Sequence, residues 1–313
     1  KGSSTISTIT SGTISMKPTL TSYEINNELG AGKCYQLSYY KNGVTLKQLF
    51  TFHSDKEYMT VRVAIEGDEG IEVESRQMIT LATETETAPL KGEMNRTLWV
   101  PFDNDGHVKY KNLTLTDNTE NISHEVTAIF DGDSRYGIVA GSIDHDTWKS
   151  AIKVKGKDGN KLTKFHCHSG YTSSSTRDSR SHGKIGGKEI ASARFFIGIF
   201  DDWREGLDTY AAANALIAPP AEWTKGNPMG WNSWGVMQTK VNYDGVYETA
   251  RFIRDSLYRY GFHDNEGKTV ISLDSYAEDN ISGENIKKLG TKIFSNSPYT
   301  ENGVKQPGTN QTL

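Results

Sequence analysis

The sequence predicts a multidomain chain, a large antiparallel β-sandwich followed by the first βα units of a parallel β/α (TIM) barrel, the barrel incomplete in this chain. Three observations carry that expectation. From about residue 10 to 200, short alternating stretches follow one another, separated by Gly, Asn or Asp, with no long helical pattern. At residue 201 the period becomes helical and then passes to alternating strands and helices. The 313 residues exceed the roughly 150 usual for one domain, and 35% hydrophobic residues suffice for a sizeable core. The expected division is a sandwich over 1–200, a connecting helix and proline linker over 201–220, and the beginning of the barrel over 221–313.

In chain order, "KCYQLSYY" and "VTLKQLFTFH" flank "KNG" (41–43), a hairpin-type turn signal. "YMTVRVAIEG", "IEVESRQMITLAT", "HVKYKNLTL", "HEVTAIF", "YGIVAGSI", "AIKVKG", "LTKFHCHSGY" and "IASARFFIGIF" continue the strands. "DDWREGLDTYAAANALIAPP" then sets Trp203, Leu207, Tyr210 and an alanine cluster at helical spacing, stopped by Pro219-Pro220. "MGWNSW" reads as a short strand. "NYDGVYETARFIRDSLYRYG" reads as a helix with Val246, Ala250, Ile253 and Leu257 along one stripe. Asn242 or Asp244 can cap its start, and Gly261 suits a left-handed end. "KTVISLDSYAED" is an apolar strand, Val270 to Leu273, ending at Asp274, and a second helix is expected through "GENIKKLGTKIFSN". Apolar strands alternating with helices imply a parallel sheet with right-handed crossovers. Residues 228–313 fall far short of the ~250 of a complete barrel, so the remainder is expected from sequence beyond this chain.

A net charge of −4 and a pI near 6.1 argue against nucleic-acid binding. Cys34 and Cys167 are too few for a disulfide framework; one bridge or two buried thiols are both open, and the thiols are favoured. No stretch approaches the ~20 apolar residues of a membrane helix. The Ser/Thr-rich start after Lys1 reads as a mature or trimmed terminus, and a secreted or periplasmic location is expected. Sequons stand at Asn95, Asn112, Asn121, Asn280 and Asn310.

Several clusters have bland readings. In "HCH", His166 and His168 share one strand face and Cys167 the other, without an evident fourth ligand, so neither a metal nor a cofactor is expected. "DGDSRYG" (131–137) and "DHD" (144–146) read as solvated turns, and Trp203 and Tyr210 as packing residues. "LWVPFDNDGHVKY" (98–110) carries Asp103 and Asp105 in a turn, either an ordinary polar hairpin or a loop that helps to shape a pocket.

The sandwich, "DDWREGLDTYA", the proline break, "PMGWNSWG" and the strand ending in "LDS" together resemble the melibiase (α-galactosidase) clan of glycoside hydrolases. The specific resemblance lies in 201–234 and 269–274. It implies retaining hydrolysis of an α-linked terminal sugar of an oligo- or polysaccharide, with galactose foremost, by two carboxylates about 5–5.5 Å apart. Those belong to later strands, so no residue here is assigned a catalytic role. The resemblance also implies that Trp231 lies at the floor of the sugar subsite; Trp234 is a second candidate for a sugar-facing ring, and the alternative for both is to plug the barrel's end against the sandwich. Asp274 would accept hydrogen bonds from sugar hydroxyls, and the 98–110 loop, with Asp103 and Asp105, would reach over the barrel mouth. The chain departs from the clan at Ser275, Tyr276 and Ala277, where a second Asp, Gly and Trp are common. The alternative is a non-catalytic carbohydrate-binding or structural β-sandwich protein.

Overall fold

The computed structural model describes residues 17–83, 88–102, 109–115, 120–173, 183–238, 241, 243–273, 300–301 and 304–305. The chain divides into two compact units, Lys1–Pro220 and Ala221–Leu313.

The first unit is built of antiparallel strands. They are β1 (Thr19–Asn27), β2 (Gly30–Lys41), β3 (Val44–His53), β4 (Tyr58–Gly67), β5 (Val73–Ser75), β6 (Met78–Thr83), β7 (Ala88–Pro89), β8 (Asn95–Trp99) and β9 (Lys111–Thr114). There follow β10 (Glu120–His124), β11 (Val126–Asp131), β12 (Gly137–Ser142), β13 (Ser150–Lys157), β14 (Lys161–Ser169), β15 (Ile185–Gly187), β16 (Glu189–Ala191) and β17 (Phe195–Phe200). Helix α1 (Trp203–Ile217) closes the unit.

A 10-stranded sheet runs β1-β2-β3-β4-β17-β12-β11-β8-β9, with β16 also on β4. A 5-stranded sheet runs β10-β13-β14-β6, with β7 on β14. Alternation divides the large sheet's side chains between two cores. Val61's neighbours Val63 and Phe195, with Ile129 and Ala140, pack with Ile152, Val154, Phe165 and Cys167 of the smaller sheet and with Trp148. From the opposite face Tyr58, Ala128, Phe130, Val139, Phe196 and Phe200 form a second core under α1. The 201–220 segment is therefore more than a connector. Trp203 stacks on Phe130 at 4.4 Å between ring centroids, and Tyr210 meets Phe196 edge-on at 5.6 Å.

Local chemistry explains the boundaries. The "KNG" signal becomes a two-residue hairpin with Lys41 opposite Val44, and Asn42 and Gly43 take φ of 52° and 81°. Both values lie in the left-handed region that a twist-matched turn requires and that Asn and Gly tolerate best. Asp202 caps α1, its carboxylate accepting the Arg204 N–H at 3.0 Å. The stretch expected as one strand, 71–83, is two. Ser75 Oγ donates to the Gln77 carbonyl at 2.7 Å, a local turn that competes with the ladder. The chain thus changes sheets, β5 pairing with β15 and β6 with β14. Cys34 and Cys167 are free and buried, and burial pushes the Cys167 thiol well above its ordinary range.

In the second unit β18 (Gly230–Asn232) pairs in parallel with β19 (Val270–Ser272), and helix α2 (Tyr243–Phe252) lies between them in sequence. After Phe252 the helix loosens to a π turn over Ile253–Leu257 and tightens to a 3₁₀ turn over Tyr258–Tyr260. Gly261 ends it at φ 87°, in the left-handed position, with its N–H on the Tyr258 carbonyl. Of the expected stripe, Val246 and Ile253 are buried, while Ala250 and Leu257 are half-buried. Asp244 lies within the first turn; the other cap candidate, Asn242, and the second helix expected over 283–296 lie outside the described residues. Among the described residues, no helix is long and apolar enough to cross a membrane.

Candidate functional site

Strands β18 and β19 bring two sequence-distant segments together. Gly230 lies opposite Val270, Trp231 opposite Ile271 and Asn232 opposite Ser272. A Cβ at Gly230 would stand 2.5 Å from the Val270 carbonyl oxygen, so glycine permits the close approach. The ladder extends at both ends, from Val270 N–H to the Met229 carbonyl at 2.9 Å and from Ser233 N–H to the Ser272 carbonyl at 3.0 Å. Parallel pairing places the two carboxyl ends side by side, with 231–234 on one and the approach to residue 274 on the other.

At that end the polar pair has structural work. Asn232 Oδ1 accepts the Trp234 N–H at 2.8 Å, and the Ser233 carbonyl accepts the Met237 N–H at 2.8 Å. This folds 233–237 into a compact turn in which Ser233 is buried, Trp231 half-buried and Trp234 42% exposed. Asn232 and Ser233 thus satisfy backbone groups at a strand end. Trp231 and Trp234 are large rings with accessible surface beside it, the type of surface a pyranose C–H face can stack on. Asp274, Asp103 and Asp105 lie outside the described residues. The second unit's described carboxylates with shifted pKa values, Asp255, Asp264 and Glu266, are held low, each chiefly by hydrogen bonds, from Arg254, from the Lys268 N–H and from the Lys268 ammonium respectively. All three are solvent-facing groups with ordinary roles. Among the described residues, no group of three or more His, Cys, Asp or Glu is arranged to hold a metal ion.

The first unit holds polar structure that the turn readings of 131–137 and 144–146 overlooked. Asp144 does not lie in a solvated turn: Arg194 grips it with Nε and Nη2 at 2.7–3.0 Å and reaches Glu28 with Nη1 at 2.5 Å. The Asp144 and Arg194 side chains are only 17% and 18% exposed. Burial alone would raise the Asp144 pKa, but the Arg194 hydrogen bonds overcome it and hold the carboxyl below its usual range. His145 lies between Glu125 and Asn214. Asp131 is buried, its carboxylate accepting Ser134 N–H and Oγ–H at 2.9 and 2.6 Å. Burial within a β-rich core cannot be read from a run of acidic residues. The partner that holds Asp144 inward is a distant arginine of opposite charge.

A polar cleft of about 160 Å³ lies beside this network, lined in part by Arg62, Asp146, Thr147 and Trp148. Of the sequons, Asn95 and Asn121 are buried, and Asn95 Nδ2 donates to the Gly92 and Gly159 carbonyls, both at 2.9 Å. These two are folded inward, whereas Asn112 is exposed. "HCH" has the expected alternation: Cys167 joins the core, and the His166 and His168 rings lie 5.8 Å apart on the other face.

No family model matches the chain, and no curated protein matches it in sequence. Among solved structures it is similar to the GH36 α-galactosidase AgaB from Geobacillus stearothermophilus, at 11% identity and a TM-score of 0.47 over 82% of this chain and 36% of that one. It is similar also to an α-galactosidase from Lactobacillus brevis, at 6% identity and a TM-score of 0.46, covering 76% of this chain and 32% of the other. A third is the GH36 α-galactosidase AgaA A355E D478A from Geobacillus stearothermophilus, in complex with stachyose, at 11% identity and a TM-score of 0.45, covering 86% and 38%. The chain spans about a third of the length of these structures.

Proposed function

We propose that the chain is part of a retaining glycoside hydrolase of the α-galactosidase type, acting on terminal α-linked sugars. The observation that carries the reading is the in-register parallel pairing of β18 with β19 at the "MGWNSW" motif. In this reading β18, α2 and β19 are the first staves of a (β/α)₈ barrel, whose sites gather at the carboxyl ends of the strands. Trp231 stacks on the pyranose, Trp234 borders it, and Asp274 takes hydroxyl hydrogen bonds from the end of the second stave. The catalytic carboxylates lie on later staves, with one attacking C1 and the other protonating the leaving oxygen and then activating water. An extracellular or periplasmic location accords with a polymeric substrate.

The test is hydrolysis of nitrophenyl α-galactoside by the protein of the complete reading frame, run beside other α- and β-glycosides. Release of nitrophenol from an α-glycoside with the α-anomer of the sugar appearing first by NMR is the expected result. An inert protein across the panel, or a β-anomer appearing first, overturns the reading.

A further inference from the structure

The sandwich carries a titratable group at the point where α1 fastens to it, and its use is independent of the glycosidase reading. We propose that His145 is a pH-controlled fastener of α1: it sits as an imidazolium between the sandwich and the helix, and its deprotonation loosens the helix's carboxyl-terminal half.

The argument is one of donors and acceptors. His145 Nδ1 lies 2.7 Å from Glu125 Oε2, and Nε2 lies 2.6 Å from Asn214 Oδ1 on α1. The Asn214 amide is oriented by its own helix, because Nδ2 donates to the Tyr210 carbonyl at 2.9 Å. Its oxygen therefore faces the imidazole. A neutral imidazole has one N–H and would turn a lone pair on one of these two oxygens; only the protonated ring supplies both donors.

The nearby acceptors and carboxylates favour the cation. From the β10–β11 junction comes Glu125, whose carboxylate also accepts Ser142 Oγ–H at 2.9 Å and Ser150 Oγ–H at 3.3 Å. Its backbone, at φ 65°, is held by the Ser142 N–H on its carbonyl and by its own N–H on the Ser150 carbonyl. On His145's own loop is Asp144, paired with Arg194, which also reaches Glu28. From α1 comes Tyr210, whose hydroxyl donates to the Ser142 carbonyl at 2.6 Å and is kept protonated by burial. The hydrogen bond that His145 donates to Glu125 raises its pKa against burial, with Asn214 adding to it. For Glu125, burial pushes the pKa upward, but the His145 and Ser142 bonds prevail and it lies low. The two side chains are 42% and 45% exposed, so hydroxide reaches the pair directly.

A raised folded pKa fixes the sign. The contribution is complete below the unfolded value near 6.5 and disappears as pH rises through the folded value, so α1 is held in acid and loosened in base. The experiment follows His145 ring ¹⁵N resonances and amide exchange of residues 211–218 between pH 6 and 9 in the whole chain, corrected for intrinsic exchange. Both nitrogens protonated at pH 6, a midpoint above the ordinary histidine value of about 6.5, and a loss of protection of 211–218 as pH rises through that midpoint are expected. His145→Gln should abolish the pH dependence of that exchange. A midpoint at or below 6.5, or the same pH dependence in the variant, overturns the proposal. Should that variant fail to fold, Asn214→Ala, which removes only the helix-side acceptor, must lower the wild-type midpoint; an unmoved midpoint has the same adverse meaning.

Discussion

His168 shows how one side chain's surroundings set a property of the fold. It is buried on β14, and Gln77 Nε2 donates to its Nδ1 at 2.7 Å. Burial, then the neighbouring Lys153 and His166, push its pKa down to about 4. A depressed histidine contributes stability in full above the unfolded value of about 6.5 and loses it as pH falls towards 4. Charging this site should cost the protein on the order of 3 kcal/mol across that window. Urea midpoints at pH 7 and pH 4.5 check this: His168→Leu should narrow the gap between them, and an unchanged gap would discount the residue. The residues proposed to face the sugar are the second residue-scale matter. In the complete protein Trp231→Ala and Asp274→Asn should each weaken galactoside binding by about tenfold or more, roughly 1.4 kcal/mol, without changing the thermal midpoint. Titration calorimetry decides, and undiminished affinity in both variants removes them from the site.

At the scale of elements, α1 depends on the absence of a side chain. A Cβ at Gly206 would stand 2.5 Å from Phe200 Cδ2 and 2.7 Å from Val139 Cγ2, both in buried residues. In a free helix, Gly→Ala gains about 1 kcal/mol of propensity. Here overpacking opposes it at about 1–3 kcal/mol, so Gly206→Ala should destabilise the first unit on balance. A raised urea midpoint would show that the helix can lift without loss. The same element illustrates what spacing reveals. Trp203, Leu207 and Tyr210 were legible as a packed stripe, whereas the closeness of that packing was not, because it depends on which strands lie beneath. The 71–83 stretch shows the converse. Its apolar alternation lapses only over the four polar residues Glu74 to Gln77, and there the hydroxyl of Ser75 bends the chain between two sheets.

At the scale of the whole molecule, both apolar cores draw entirely on the first unit. Residues 1–220 expressed alone should therefore unfold in a single cooperative urea transition with near-ultraviolet dichroism; a gradual, structureless titration would contradict that. The second unit differs, with Val236, Phe252, Tyr260 and Val270 from 56% to 76% exposed. Its surface accords with the proposed assignment to a larger barrel, whose further staves would cover such residues.

By itself the sequence determined the β-rich character of the first two hundred residues, the helix after Asp202, the strand–helix–strand order behind Pro220 and the aromatic motif at residue 231. These are local matters: period two, period 3.6, a capping carboxylate, paired prolines and left-handed glycines act within a few residues of themselves. Only the tertiary structure decided the division of the strands between a large and a small sheet, the seating of α1 on a glycine, and the inward turn of Asp131, Asp144 and two sequons. It alone set His145 between Glu125 and Asn214. Most of these join residues tens of positions apart, and a charge or an imidazole shows no sign in its own stretch of chain of the distant partner that folding will place against it.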